Sequence, residues 1–584
     1  MNIPYRYTEK RVGESYKDFG GLDRRRKGPD GSFRDMTNMS GDQYKSIVSR
    51  RPRGIIPFEG EKITAMVTTD VLIDGKIVEN AFIMNVDNYL TAYYKKDGKL
   101  REEFLMKAAG LTTGENTVIT AGGYMYLFPD KKYINLMNTS DFGSLDKKID
   151  LVCGAVTENG QKFWYEAVFE KCDAEGNAKT DGAYIKLYKT KYYYFDSTGR
   201  GNKLSSPAIA YGFSAGDMVK ISGSGNGDGY RRVVYIPPNE TFFVLDGGNS
   251  VTLTAGTVRV SRDVPDMDYV VASGNRLWGC RYGVNSEGMP VNEIYASALG
   301  DAKNWYKFQG VSTDSYTASI GVDGVFTGAC EYQGNPMFFK EDAVIRVYGD
   351  RPSNYSITSV NIRGIEKGSA ASVVNVSNNL IYKSHSGFVA YNAGNPVNID
   401  DALGDAKYKN AVAGMLCGKY YVSAEREDGK SELLVFDTAA RMWHKEDDLR
   451  VKAFSRASSE LYMLCSDNRL LSVCGSGEIA EDCVSWSFVT GEIGSKRIGI
   501  RAVTEVCARL EMPYDGRLSI EIEYDESGKW QRVATYKGRG SVADIRIKPR
   551  RCHTFRLRFS GEGEFSLYTM SAAETECVPM RGIK

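Results

Sequence analysis

Residues 268–308 read DYVVASGNRLWGCRYGVNSEGMPVNEIYASALGDAKNWYKF, and few folds accommodate a run of that kind. Short β-rich segments at 269–271, 277–280 and 293–297 are separated by Gly/Asn turns, with Trp305 and Phe308 expected to close the unit. Tyrosine, tryptophan and β-branched residues between such turns are what half-buried antiparallel hairpins need. Pieces of the run return elsewhere: Ala-Leu-Gly-Asp-Ala-Lys at 298–303 recurs at 402–407, and Asn-Arg-Leu at 275–277 recurs at 468–470. A radial array of small antiparallel sheets is the simplest architecture that reuses such a unit.

The remaining chain has the same character. With 584 residues it exceeds a single core, and 61 Gly, 37 Tyr and 24 Phe without long helical periodicity point to an all-β protein rich in turns. Strand-and-turn patterns over 55–149 suit about two blades of a β-propeller, and those over 264–476 about five, giving roughly seven in all. Residues 150–263 break the rhythm. Gly-Asp-Met-Val-Lys-Ile at 216–221, followed by strands at 230–236 and 241–246, reads as a small inserted β-barrel-like domain. The glycine-rich run 223–229 leads into a strand, where a phosphate cradle would lead into a helix N-terminus, so it reads as a hairpin tip. Residues 477–584 carry well-alternating strands and fit a β-sandwich; Gly528 stands where the 524–530 hairpin needs positive φ.

Charge is uneven. The chain carries a net +1, yet residues 1–54 hold 13 Lys/Arg against 7 Asp/Glu, leaving a mildly acidic body. Sparse apolar residues and frequent Gly and Pro make 1–54 an extended basic arm. Two readings stand for it: a surface segment packed on its own acidic body, or a subunit-docking arm. Its tyrosine, phenylalanine and methionine side chains, interleaved with arginines, favour docking, with Tyr16, Phe19, Arg24, Arg25, Arg26, Phe33, Met36, Met39, Arg50, Arg51 and Arg53 as anchors.

Catalytic and metal chemistry find little footing. The 11 cysteines are scattered, without a Cys-x-x-Cys, and read as reduced structural thiols. His385, His444 and His553 stand alone, and the acidic turns 400–405 and 525–527 lack the spacing of a calcium loop. No catalytic, cofactor or metal residue is assigned, and the chain is expected not to be an enzyme. Paired carboxylates on separate propeller strands would escape detection by spacing. The first ten residues contain no apolar core of a signal peptide, and no long apolar run occurs, which predicts a soluble, non-exported chain without membrane insertion.

Gly-Gly-Leu at 20–22, Asp-Met-Thr-Asn-Met at 35–39 and Arg-Arg-Pro-Arg-Gly at 50–54 resemble the start of a phage virion family. Gly-Asn-Arg-Leu-Trp-Gly at 274–279, followed by 293–305, resembles one of its blades. That family comprises tail nozzle and packaged-DNA stabilisation proteins of short-tailed phages. The motifs at 522–530 and 548–559 are similar to the sandwich that closes proteins of gut and Clostridia-type phages. The resemblance implies a structural virion protein, assembled in the host cytoplasm into a ring homo-oligomer, commonly a hexamer. It would sit below the portal and adaptor with other tail proteins, and its channel would pass packaged DNA without sequence preference. The rival expectation is a glycan-binding or glycan-cleaving propeller, with carboxylates and aromatics gathered at one mouth.

Overall fold

The computed structural model describes residues 5–57, 63–86, 89–96, 99–105, 111, 117–194, 201–285, 288–457, 459–475, 479–494 and 499–579. The fold is all-β, with 58% of the chain in strands and no α-helix among the described residues. Between residues 54 and 480 the chain lays down small antiparallel sheets in succession. The first spans Ile63–Ile73 to Lys99–Phe104, the second Thr117–Ala121 to Asn138–Ser144, and the third Tyr269–Ser273 to Tyr316–Ser319. The fourth spans Gly328–Tyr332 to Ser356–Val360, the fifth Val374–Val376 to Val397–Asn398, and the sixth Tyr408–Leu416 to Met442–Asp447. The seventh joins Val451–Ala457, Glu460–Cys465 and Leu470–Ser472 to Gly54–Ile56 from the far end of the chain, with Ile479–Ala480 at its edge.

Each sheet buries its faces against its neighbours. Met125 and Leu127 of the second sheet meet Val71 and Ile83 of the first; Trp278 and Ile294 of the third meet Phe338 and Ile345 of the fourth. Tyr382 and Val389 of the fifth pack on Met337 and Phe339 of the fourth. The series returns on itself where Leu464 and Leu470 of the seventh meet Ile63, Met66 and Met84 of the first. Ten to twenty apolar side chains per interface, each worth about 1.5–3 kcal/mol when buried, make this stacking the main source of cohesion. The closed ring is not evenly disposed about one axis.

The two repeated words occupy turns. Asn275 and Asn468 both adopt positive φ (58° and 63°) at hairpin tips, and Gly300 and Gly404 do so at 69° and 67°. Their places differ: 275 joins the first and second strands of its sheet, whereas 468 joins the second and third. The repeats therefore encode a backbone conformation rather than a repeated blade. Trp305 is buried between the second and third sheets, but Phe308, expected to close its unit, is exposed.

The segment 147–262 forms one sheet whose pairing closes on itself. Lys147–Glu158 pairs with Gly256–Arg262 along its first half and with Gln161–Cys172 along its second. The glycine-rich run 223–229 is a hairpin tip, with Ile221 opposite Gly229. Asp228 accepts the Ser224 N–H at 2.7 Å and its hydroxyl at 2.8 Å, fixing the tip internally. The buried Arg262 guanidinium joins Asp217 to the Leu145 carbonyl, and Asn304 Oδ1 accepts the Met218 N–H at 2.8 Å. These contacts dock the insert against the second and third sheets.

Beyond residue 480 two sheets face each other. One runs Phe33–Thr37, Ser485–Thr490, Phe555–Glu562, Arg517–Tyr524 and Gln531–Lys537. The other centres on Arg501–Met512 and Ser566–Pro579. Ile520, Ile522, Leu557 and Phe559 from the first pack on Val503, Val506, Leu567 and Met570 from the second. Gly528 has φ 72° in its hairpin. The N-terminal residues are integral to this unit. Tyr5–Tyr16 pairs with Ser566–Pro579, and Met39–Ser40 and Ile47–Ser49 extend the same sheet.

Candidate functional site

The first strands of the first, second, third, sixth and seventh sheets contribute to the wall of a cavity of 1270 Å³. Its wall is assembled from short contributions: Thr64, Thr117, Asp268 to Val270, Asn410, Ser423, Glu425, Ser431, Arg450, Lys452 and Ser466. Phe128 and Met267 supply apolar surface, and Tyr269 is half-buried. The charged groups arrive with partners. Asp268 takes Arg281 Nη1 at 2.6 Å and the Tyr282 N–H at 2.8 Å. Glu425 takes Lys409 at 3.2 Å, Arg450 at 3.8 Å and Asn410 Nδ2 at 3.3 Å. Lys452 donates to Asn468 Oδ1 at 3.0 Å.

This arrangement has a chemical consequence. The Asn410 amide and the Lys409 ammonium hold the Glu425 carboxyl below the ordinary carboxylate range. A general acid for glycoside cleavage needs the opposite, a carboxyl kept protonated near neutrality. The cavity offers hydroxyls, an amide and neutralised charge pairs, which suit hydrogen bonding to an uncharged polar ligand.

The arm residues lie elsewhere and meet the chain's own body. Phe19, Phe33, Met36 and Met39 are buried in the core shared by the C-terminal unit and the fifth and sixth sheets. Tyr16 packs at the edge of that core and donates to Glu14 at 2.7 Å. Arg24 holds Glu432 at 2.9 and 3.0 Å and the Tyr408 hydroxyl at 2.7 Å. Arg25 pairs with Asp23, and the exposed Arg26 approaches Glu526 at 4.0 Å. Arg50 pairs with Glu481 at 2.6 Å, and its Nη1 also donates to the carbonyl of the exposed Arg51. Arg53 grips Glu446 and Asp447 at 2.5 and 2.6 Å. Of the two readings of the arm, packing on its own acidic body describes these contacts. At Gly21, φ is 71° and a Cβ would lie 2.6 Å from the Trp443 carbonyl, so the arm enters a slot that admits only glycine.

The acidic turns have structural roles. Asp400 Oδ2 accepts the Phe388 N–H at 2.9 Å, and Asp525 Oδ1 accepts the His553 N–H at 2.7 Å. His385 and His553 are exposed. Cys153, Cys172, Cys280, Cys330, Cys417, Cys465, Cys474, Cys483 and Cys507 are free thiols. Glu505, Cys507 and Asp544 form the one trio of ligand atoms within 4.8 Å among the described residues. Cys507 Sγ donates to Asp544 Oδ1 at 3.4 Å.

His444 is buried beneath the arm, where a Cβ on Gly41 would lie 2.6 Å from its Nε2. Burial first, then the Lys419 ammonium, pushes its pKa down to about 4, against the opposing carboxylates of Asp437 and Asp42. The unfolded chain therefore binds the extra proton between pH 6.5 and 4, and stability falls as pH drops through that window. The expected loss is about 3 kcal/mol below pH 4. Urea unfolding of His444→Gln at pH 7 and pH 4.5 is expected to show a smaller acid loss than the parent chain; equal losses would assign the acid sensitivity to other groups.

No known family model matches the chain, and no curated protein matches its sequence. Among solved structures it is similar to PorZ, a surface component of the type-IX secretion system of Porphyromonas gingivalis, at 10% identity and a TM-score of 0.26. That likeness covers 88% of this chain and 77% of PorZ. It is similar to an exo-β-1,3-galactanase of Phanerochaete chrysosporium at 9% identity and a TM-score of 0.21, over 52% of this chain and 94% of the enzyme. A bifunctional GH43-CE protein of Bacteroides eggerthii matches at 10% identity and a TM-score of 0.19, over 55% of this chain and 63% of its own. Likenesses this distant carry no argument about activity.

The cavity residues were not legible in advance. They lie in strands and strand-flanking turns scattered from 63 to 466, and no local motif joins them. The one sequence trace is the hairpin register that sets Lys409 opposite Glu425.

Proposed function

We propose that the chain is a seven-bladed propeller that binds a glycan at the mouth of its axial cavity, without cleaving it. The observation that carries this reading is the lining: hydroxyls of Thr117, Ser431 and Ser466 beside Asn410, the Tyr269 ring, and the Asp268 and Glu425 charges already paired within the chain. Sugars offer hydroxyls to hydrogen-bond and apolar faces for aromatic rings. Glu425, held below the ordinary carboxylate range, does not suit the general-acid role in cleavage.

Screening the full chain against a panel of oligosaccharides, followed by calorimetry on the best ligand, tests this. Tyr269→Ala and Glu425→Ala are each expected to weaken binding roughly tenfold, about 1.4 kcal/mol, with no sugar released. Absence of any glycan ligand, or full affinity in both variants, would defeat it.

The nozzle reading rests on the resemblance of the arm, the 274–305 run and the C-terminal motifs. The residues offered there as subunit anchors are engaged within the chain, so ring assembly would need another surface. Light scattering and negative-stain imaging on the same sample discriminate. A ring in the absence of glycan binding restores the virion role.

A further inference from the structure

One feature of the insert lies outside the cavity. Strands Gln161–Cys172 and Tyr184–Tyr193 pair along their length, from Phe163 opposite Tyr193 to Cys172 opposite Tyr184. Ala167, Phe169, Ile185 and Leu187 point into the insert's core. The alternating residues, Trp164 on one strand and Lys186 and Tyr188 on the other, lie half-exposed on the opposite face, with the Glu166–Thr190 pair buried between them. Tyr194, just past the strand end, stacks on Trp164 with centroids 6.3 Å apart and planes 18° from parallel. Lysines are threaded among these rings. Lys162 lies 5.5 Å over Tyr194 and Lys203 6.0 Å over Tyr188; Lys186 lies 5.6 Å over Tyr188 and 4.2 Å over Phe242, and donates to the Gly176 carbonyl at 3.0 Å. The nearby carboxylates are occupied: Glu166 accepts the Trp164 indole N–H at 3.2 Å, and Glu170 accepts the Tyr188 hydroxyl at 3.3 Å.

We propose that this outward stripe of the insert binds single-stranded nucleic acid without sequence preference. Planar rings at intervals along a strand provide stacking surfaces for unstacked bases, and interleaved ammonium groups meet the phosphates between them. A duplex hides its base faces and gives Trp164 and Tyr194 nothing to stack on. An anionic polysaccharide would satisfy the lysines but supply no flat π-system for the rings. The three ammonium groups are the positive side of a charge match, and the carboxylates beside them are already hydrogen-bonded to Trp164 and Tyr188.

The test is fluorescence anisotropy of a short labelled oligothymidine with the full chain, beginning at about 50 mM salt. Saturable binding is expected, with a log–log salt slope of about −2 if all three lysines neutralise phosphates, at about −0.7 per phosphate for a single strand. Trp164→Ala and Tyr194→Ala are each expected to weaken binding roughly 5- to 100-fold. Lys162→Ala combined with Lys203→Ala changes only exposed side chains; it is expected to flatten the salt slope with an unaltered thermal transition. Failure to bind at low salt overturns the proposal, as does binding that none of these variants changes. A heparin fragment that binds through the same lysines while oligothymidine does not would show a polyanion surface instead. Neither result depends on the axial cavity, because Tyr269 and Glu425 lie outside the stripe.

Discussion

A chain lacking residues 1–54 is expected to lose the folded C-terminal unit and to accumulate as an aggregate. The deletion removes Phe33–Thr37 from one sheet of that unit, and Tyr5–Tyr16, Met39–Ser40 and Ile47–Ser49 from the other. It takes Phe19, Leu22, Phe33, Met36, Met39 and Ile47 out of the core, all at most 2% exposed. Six such side chains at about 1.5–3 kcal/mol each amount to roughly 9–18 kcal/mol, an upper bound because unfolded chains already bury some apolar surface. A domain typically has only about 5–15 kcal/mol of net stability to lose. The seventh sheet is also affected, since Gly54 is the residue from which Gly54–Ile56 enters between Leu470–Ser472 and Ile479–Ala480. Deleting residues 1–17 alone removes the edge strand Tyr5–Tyr16 and spares the buried anchors. That shorter deletion is expected to keep a cooperative transition while exposing the Ser566–Pro579 edge to self-pairing. Circular dichroism melts and light scattering of the two deletions separate these outcomes. A soluble, cooperatively folded 55–584 chain would mean that the arm is peripheral.

The same contrast explains what was legible in the sequence. Strands flanked by Gly, Asn and Asp turns announce themselves locally, because each hairpin needs period-two alternation and a residue tolerant of positive φ. The succession of small sheets on either side of an insert could thus be read directly. The arm could not. Its buried residues Phe19, Leu22, Phe33, Met36, Met39 and Ile47 follow neither a period of two nor one of 3.6, because they serve different sheets and the core between them. Few apolar residues in a charged segment look like an arm without a core, although here the core is supplied by residues some 500 positions later. The environments of Arg24 and Arg53 were not legible for a related reason. A run of arginines reads as a solvated or docking surface, yet Arg53 is 2% exposed and paired with two carboxylates. A barrel-like insert was expected from the sequence, but not the way its pairing closes, with one strand, Lys147–Glu158, changing partners halfway along.

Arg53→Met is expected to destabilise the junction of the arm with the sixth and seventh sheets by about 3–5 kcal/mol, although methionine fills a similar volume. Arg53 Nη2 meets Glu446 at 2.5 Å and Nη1 meets Asp447 at 2.6 Å, with Glu446 itself buried. Its backbone N–H also donates to Glu481 at 3.1 Å, and Glu481 in turn holds Arg50. Without the guanidinium, the buried Glu446 loses the cation it pairs with, and Asp447 keeps only Arg50 at 4.0 Å. The cost therefore comes from the stranded carboxylates rather than from a lost attraction. This makes a specific demand on the second substitution. Adding Glu446→Gln and Asp447→Asn to Arg53→Met should recover much of the loss, because the neutral amides no longer require a cation. Additive destabilisation across the series would show instead that the arginine acts through packing of its stem. Denaturant unfolding followed by tryptophan fluorescence is suited to the comparison, since Trp443 lies on the same strand as Glu446 and Asp447. Recovery in the triple variant would identify the Arg53 cluster as an electrostatic clasp that fixes where the arm enters the ring.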